Sequence, residues 1–195
     1  MARDAQVLRD EPGRRPVAAS STVFDGAIFD VVRESVDFTP EVRFVREYMR
    51  HCGAVAVLAL EEREGIDHVL LIRQYRHPAG AQLWEIPAGL LDVAGEEPSL
   101  AAARELAEET GRTAGSLTPL LTLRPSPGGS DEVIHVFLAM QLAVLEDDAY
   151  VRTDEEAEIL TRWVPLDEAA AAALAGEITN ATAVAAILAA RARRG

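Results

Sequence analysis

Apolar and polar positions alternate loosely from Thr22 to Tyr48, in "VFDGAIFDVV" and again in "EVRFVREY". A period of two with one wet face predicts antiparallel strands, here joined around Pro40. The pattern changes at Gly53: "GAVAVLAL" is apolar at every position after the glycine, as in a strand buried on both faces. "EEREGID" reads as a hairpin loop and "HVLLIRQYR" as the returning partner strand. "LWEIP" is a short strand that ends at Pro87, and Ala88 and Gly89 lead into a loop. A helix is expected from about Pro98 to Thr110, since Pro98 suits a first turn and Gly111 a C-terminal cap. On that helix Leu100, Ala103, Leu106, Ala107 and Thr110 share one side, while Glu105, Glu108 and Glu109 point roughly the opposite way. "LTPLLTL" and "EVIHVFLAMQL" follow as strands around the turn "RPSPGGSD", then an acidic loop "EDDAYVRTDEEAE" and a last strand "ILTRWVPL". Two alanine-rich helices come after it. One opens at Asp167 and ends near Gly176; the other is capped by Thr179 or Asn180. The alternation of strands and helices predicts an α+β or layered α/β/α domain.

The 195 residues suffice for one domain with a sizeable core and a small extension. A hydrophobic fraction of 49% and a charged fraction of 26% fit a globular protein, and no apolar run approaches the ~20 residues of a membrane span. Residues 1–20 lack the apolar core of a signal peptide and read as a polar, mobile tail. A single cysteine, Cys52, excludes an intramolecular disulfide framework and suits a reducing cytoplasm. The net charge of −13 argues against general binding to nucleic acid or anionic membranes. A phosphorylated substrate stays compatible with it, because bound divalent cations invert the charge of a site locally.

The unusual chemistry lies on the helix after Pro98. Glu105, Glu108 and Glu109 crowd together at spacings of three and four residues, where like charges repel. Such a face is either simply solvated or holds something cationic. Arg104 can pair with Glu108 one turn on, and the preceding Pro-Ala-Gly can bring backbone carbonyls close to the acids. Carboxylate and carbonyl oxygens together suit a hard cation, Mg²⁺ or Mn²⁺.

The stretch Gly89, Glu96, Arg104-Glu105, Glu108-Glu109 and Gly111 resembles the Nudix box, G-x5-E-x7-R-E-U-x-E-E-x-G-U. Two departures stand out. Six residues rather than five separate Gly89 from Glu96, and Arg112 fills a position that is usually aliphatic. With "LIRQYRHPAG", "LWEIPAGLLD", "SPGGSDEVIHVFLA" and Pro127, sixteen residues after Gly111, the chain is similar to the ADP-ribose pyrophosphatase branch of the Nudix hydrolases from about Val23 to Leu188. The resemblance implies an α/β/α sandwich with a mixed sheet over residues 51–195, preceded by an antiparallel β dimerisation region over residues 21–50. It implies hydrolysis of ADP-ribose to AMP and ribose 5-phosphate with two or three Mg²⁺ ions, Mn²⁺ being the alternative. The metal ligands would be Glu105 and Glu109, with Glu108 assisting and the carbonyl of Ala88. Arg104 would orient the carboxylates together with Glu96.

Outside the box, the same resemblance places the general base in the acidic loop, with Glu156 first and Glu155 second. Arg76, and after it Arg73, would contact substrate phosphate, and Glu132 the terminal ribose. Trp84 would stack on adenine, its other reading being a core side chain. The expected protein is a cytoplasmic homodimer that binds ADP-ribose and neither nucleic acid nor membrane. Two other readings compete: hydrolysis of another nucleoside diphosphate sugar or dinucleotide, and a regulator that senses ADP-ribose without cleaving it.

Overall fold

The computed structural model describes residues 8–145 and 159–194. The chain divides into two units, Met1–Arg50 and His51–Gly195. In the first, β1 (Val17–Phe24), β2 (Phe29–Thr39) and β3 (Val42–His51) form one sheet with β2 in the middle. β1 begins inside the span read from the sequence as a tail. Its small polar residues carry no strand pattern, and the antiparallel ladder with β2, from Val17 opposite Val36 to Phe24 opposite Val31, is what orders them. Arg14 extends this tie, donating to Glu34 at 3.2 Å and to the Tyr48 hydroxyl at 2.7 Å. Phe24, Ile28, Phe29, Phe38, Val42 and Val45 remain exposed.

The second unit is built on a sheet in the order β10-β5-β4-β9-β8, with β6 added to β5 and β7 to β4. The strands are β4 (Ala54–Arg63), β5 (Ile66–Arg76), β6 (Ala81–Glu85), β7 (Ala88–Leu90), β8 (Arg112–Leu123), β9 (Ile134–Val144) and β10 (Leu160–Pro165). β4 runs parallel to β9 and antiparallel to β5 and β7, so the sheet is mixed. The helices are α1 (Pro98–Thr110), α2 (Leu166–Leu174) and α3 (Ala181–Arg194).

Alternation along the strands separates two cores. Val55, Val57, Ala59, Leu70 and Phe137 pack with Ala101, Ala102 and Leu106 of α1. Ala56, Leu58, Leu71 and Val136 face the other way, against the α2 and α3 residues Ala169, Ala170, Ala183 and Ile187. Helices on both faces of one sheet make the expected α/β/α sandwich.

Several boundaries differ from the sequence reading. β4 continues through Glu61 and Glu62 to Arg63, and the hairpin turn is only Glu64-Gly65, both at positive φ (53° and 79°) as a tight turn requires. Ala88 and Gly89 belong to a strand, β7, paired with Ala56 and Val55. β8 starts directly after Gly111; the ladder to β9 stabilises its first half, where Gly115 and a bulge near Pro119 hide the alternation. The span of α1 agrees with the expectation. Pro98 occupies its first turn, and Gly111 caps it at φ 64°, donating to the Ala107 carbonyl at 2.8 Å. Asn180 caps α3, its Oδ1 accepting the Ala183 N–H at 2.9 Å.

Candidate active site

The acids of α1 do not lie opposite its core face, as the wheel predicted. Glu105 and Glu109 are buried, at 9% and 5% exposure, beside Ala101, Ala102 and Leu106, while Leu100 is 62% exposed. The cause is β7, which pairs with the start of the central strand β4 and packs on this side of the helix. Tertiary packing here overrides the polarity pattern. A Cβ on Gly89 would come within 2.0 Å of the Glu105 carboxylate carbon. Glycine is required by this close approach. The Ala88 N–H donates to Glu109 Oε2 at 3.0 Å, which brings Ala88 to the helix as well.

Arg104 joins the remaining acids. Its guanidinium donates to Glu105 Oε1 at 2.6 Å, to Glu108 Oε2 at 3.1 Å and to Glu96 Oε2 at 3.2 Å. Hydrogen bonding to Glu96 is the largest influence raising the Arg104 pKa above the usual value. Partial burial opposes the rise, and the charges of Glu105, Glu108 and Glu96 add to it. Arg104 thus stays a cation and a fixed fork among carboxylates. The extra residue between Gly89 and Glu96 leaves Glu96 within reach of Arg104.

Among the described residues no three His, Cys, Asp or Glu side chains gather closely enough to hold a metal ion as they stand. The chemistry of the donors nevertheless fits a hard cation, since carboxylates of Glu105, Glu108 and Glu109 line one seam with no soft ligand among them. The side-chain-free cradle at Gly89, which a Cβ would fill, lies against one of them.

Arg76 lies on the α1 side of the sheet. Leu70 belongs to the α1 core, and alternation along β5 carries Ile72, Gln74 and Arg76 to the same side. There Arg76 donates to both oxygens of Glu85, at 3.0 and 2.8 Å, and Gln74 approaches Glu85 at 3.4 Å. Arg73 and Trp84 are cross-strand neighbours on the opposite side, with the Arg73 guanidinium 5.9 Å from the indole centre. Trp84 packs on the core under α2 and α3, so the structure does not bring Arg73 and Trp84 together with the acids.

Glu132 follows the turn after Pro127. Its carboxylate stands 3.9 Å from His51 Nδ1, beyond hydrogen-bond range, while that nitrogen accepts the Gly53 N–H at 3.0 Å. Asp131 accepts the His51 N–H at 2.9 Å. Glu155 and Glu156 lie outside the described residues. Glu85 was missed in the sequence; its only signal is one acid between apolar residues just before Pro87. The structure also accounts for Arg112. Its guanidinium and that of Arg63 stand 5.3 and 4.0 Å from the Trp163 ring centre, so stacking replaces the packing of an aliphatic residue.

A family profile for the NUDIX domain matches residues 49–186. The chain is 44% identical over 172 residues to an ADP-ribose pyrophosphatase of Mycobacterium tuberculosis, covering 88% of this chain and 80% of that protein. It is 42% identical to an ADP-ribose pyrophosphatase of Bacillus subtilis, over 73% of this chain and 75% of the other. A solved structure described as an ADP compounds hydrolase superposes with a TM-score of 0.75 at 26% identity, covering 95% of this chain and 96% of that one. With the family profile matched over most of the chain and relatives at 44% and 42% identity, the acidic helix and its glycine strand find their place: the chain belongs to the Nudix family.

Proposed function

We propose that the protein hydrolyses the pyrophosphate of ADP-ribose to AMP and ribose 5-phosphate. The observation that carries this is the seam of Glu105, Glu108 and Glu109 with Arg104 against Gly89, in a chain whose relatives are named for that substrate. Nudix hydrolases generally need a divalent metal, usually Mg²⁺. Two or three such ions, Mg²⁺ or alternatively Mn²⁺, would neutralise the pyrophosphate and lower the pKa of an attacking water.

The chain's own residues divide the remaining work. Glu105 and Glu109 are the principal ligands, Glu108 assists, and the Ala88 carbonyl adds an oxygen. Arg104, anchored by Glu96, keeps the carboxylates in register. Arg76 presents a guanidinium fork to a substrate phosphate. Glu132 accepts from hydroxyls of the terminal ribose. A loop carboxylate, Glu156 or else Glu155, takes the proton of the attacking water. Arg73 and Trp84 have no part in this proposal, because the opposite face of the sheet holds them. The enzyme works as a cytoplasmic homodimer, a reading supported by the exposed apolar strands of its first unit and by a lone cysteine. Among the described residues no helix is long and apolar enough to cross a membrane.

A panel of nucleoside diphosphate sugars and dinucleotides, incubated with Mg²⁺ and read by product mass, tests the substrate. ADP-ribose should lead, with AMP and ribose 5-phosphate as its products. Another compound in the lead would overturn the substrate assignment, and tight binding of ADP-ribose without turnover would identify a sensor instead.

A further inference from the structure

We infer that Glu85 is a positioning residue for the hydrolysis, holding the Arg76 guanidinium in the orientation that receives a substrate phosphate. The inference rests on the assignment of Arg76 to phosphate contact. Glu85 sits on β6 directly opposite Ile72 of β5, and its side chain is only 4% exposed, whereas that of Arg76 is 40% exposed. The buried partner is therefore the acid, and the arginine reaches from it toward solvent. Two hydrogen bonds, at 3.0 and 2.8 Å, fix the plane of the guanidinium as well as its place. Gln74, itself buried, donates from Nε2 to the same Oε2 of the carboxylate at 3.4 Å.

A buried carboxylate is a poor device for stability alone, since an apolar pair of similar volume serves as well or better. It is a good device for aiming a cation. Its place in the chain supports that use: Glu85 precedes Ile86 and Pro87, and Ala88 then bonds Glu109. Arg76 and the acids of α1 are thereby referenced to one short, hydrogen-bonded segment.

Steady-state kinetics with ADP-ribose and Mg²⁺ on Glu85→Gln, Glu85→Asp, Arg76→Gln and the double variant Arg76→Gln/Glu85→Gln test this. Arg76→Gln should raise KM by roughly 10–100-fold, the share of a hydrogen bond to a charged group. Glu85→Gln should raise KM about tenfold, with kcat changed by no more than about threefold. In the Arg76→Gln background the Glu85 substitution should add almost nothing, because its effect passes through Arg76. Glu85→Asp, which keeps the charge, should recover part of the loss; it also carries the comparison if Glu85→Gln folds poorly in thermal melts. An unchanged KM in Glu85→Gln, or losses that multiply in the double variant, would overturn the inference while leaving Arg76 its role. An unchanged KM in Arg76→Gln would remove the phosphate assignment, and this inference with it.

Discussion

Glu105 and Glu109 are carboxylates placed where burial alone would be costly, at 9% and 5% exposure. Each has a partner that offsets this: the Arg104 guanidinium for Glu105 and the Ala88 N–H for Glu109. What keeps Glu105 in its place is the missing side chain of Gly89. Gly89→Ala would put a methyl group 2.0 Å from the carboxylate carbon, and the long Glu105 side chain, unlike the backbone, can swing away. The expected result is a protein that melts within a few degrees of the parent but loses turnover by about 10–100-fold, as when a ligand's support is disturbed. A melting temperature that collapses together with activity would show that Gly89 serves the fold and not the acids. These residues were legible in the sequence as a spaced set, because helical spacing survives translation into structure. Their burial was not, since it depends on β7, whose three residues are too few to show a period.

At the scale of elements, the span of α1, though not its buried face, was legible because its end signals are local: a proline in the first turn and a left-handed glycine at the end. Strands were legible where both faces are buried, as in β4, and less so where long-range pairing orders them, as in β1 and the first half of β8. The hairpin was placed correctly but drawn too long, because charged residues on an outer strand look like a loop. The faces of β5 and β6 were legible only after register: alternation puts Arg76 on the α1 side and Arg73 and Trp84 on the other. The acidic stretch read from the sequence as a loop, which lies outside the described residues, belongs to this scale too. If its carboxylate activates water, Glu156→Gln should keep Mg²⁺-dependent ADP-ribose binding in calorimetry and lose turnover by roughly 10²–10⁴-fold. Full activity in both Glu156→Gln and Glu155→Gln would remove the loop from the mechanism and send the search for a base back to α1.

At the scale of the whole molecule, two features bear on the proposed partners, a second copy of the chain and a divalent cation. The first unit exposes Phe24, Phe29, Phe38 and Val45 on a sheet of only three strands, and such surfaces are commonly covered by association. Light scattering should give the mass of a dimer at micromolar concentration; a monomer there would contradict the pairing. The second feature is the acidic seam, in which Glu96, Glu105 and Glu108 gather on the Arg104 guanidinium beside Glu109. Its account predicts that a divalent cation binds there and nowhere comparable. Mg²⁺ titration calorimetry, run with turnover on the intact protein and on Glu109→Gln and Glu97→Gln, tests that most directly. Glu97 is an exposed acid at the cap of the same helix and makes no side-chain cap bond, so it controls for charge alone. Glu109→Gln should lose both Mg²⁺ affinity and turnover while Glu97→Gln keeps both near the parent values; equal losses in the two variants would contradict coordination by the α1 acids.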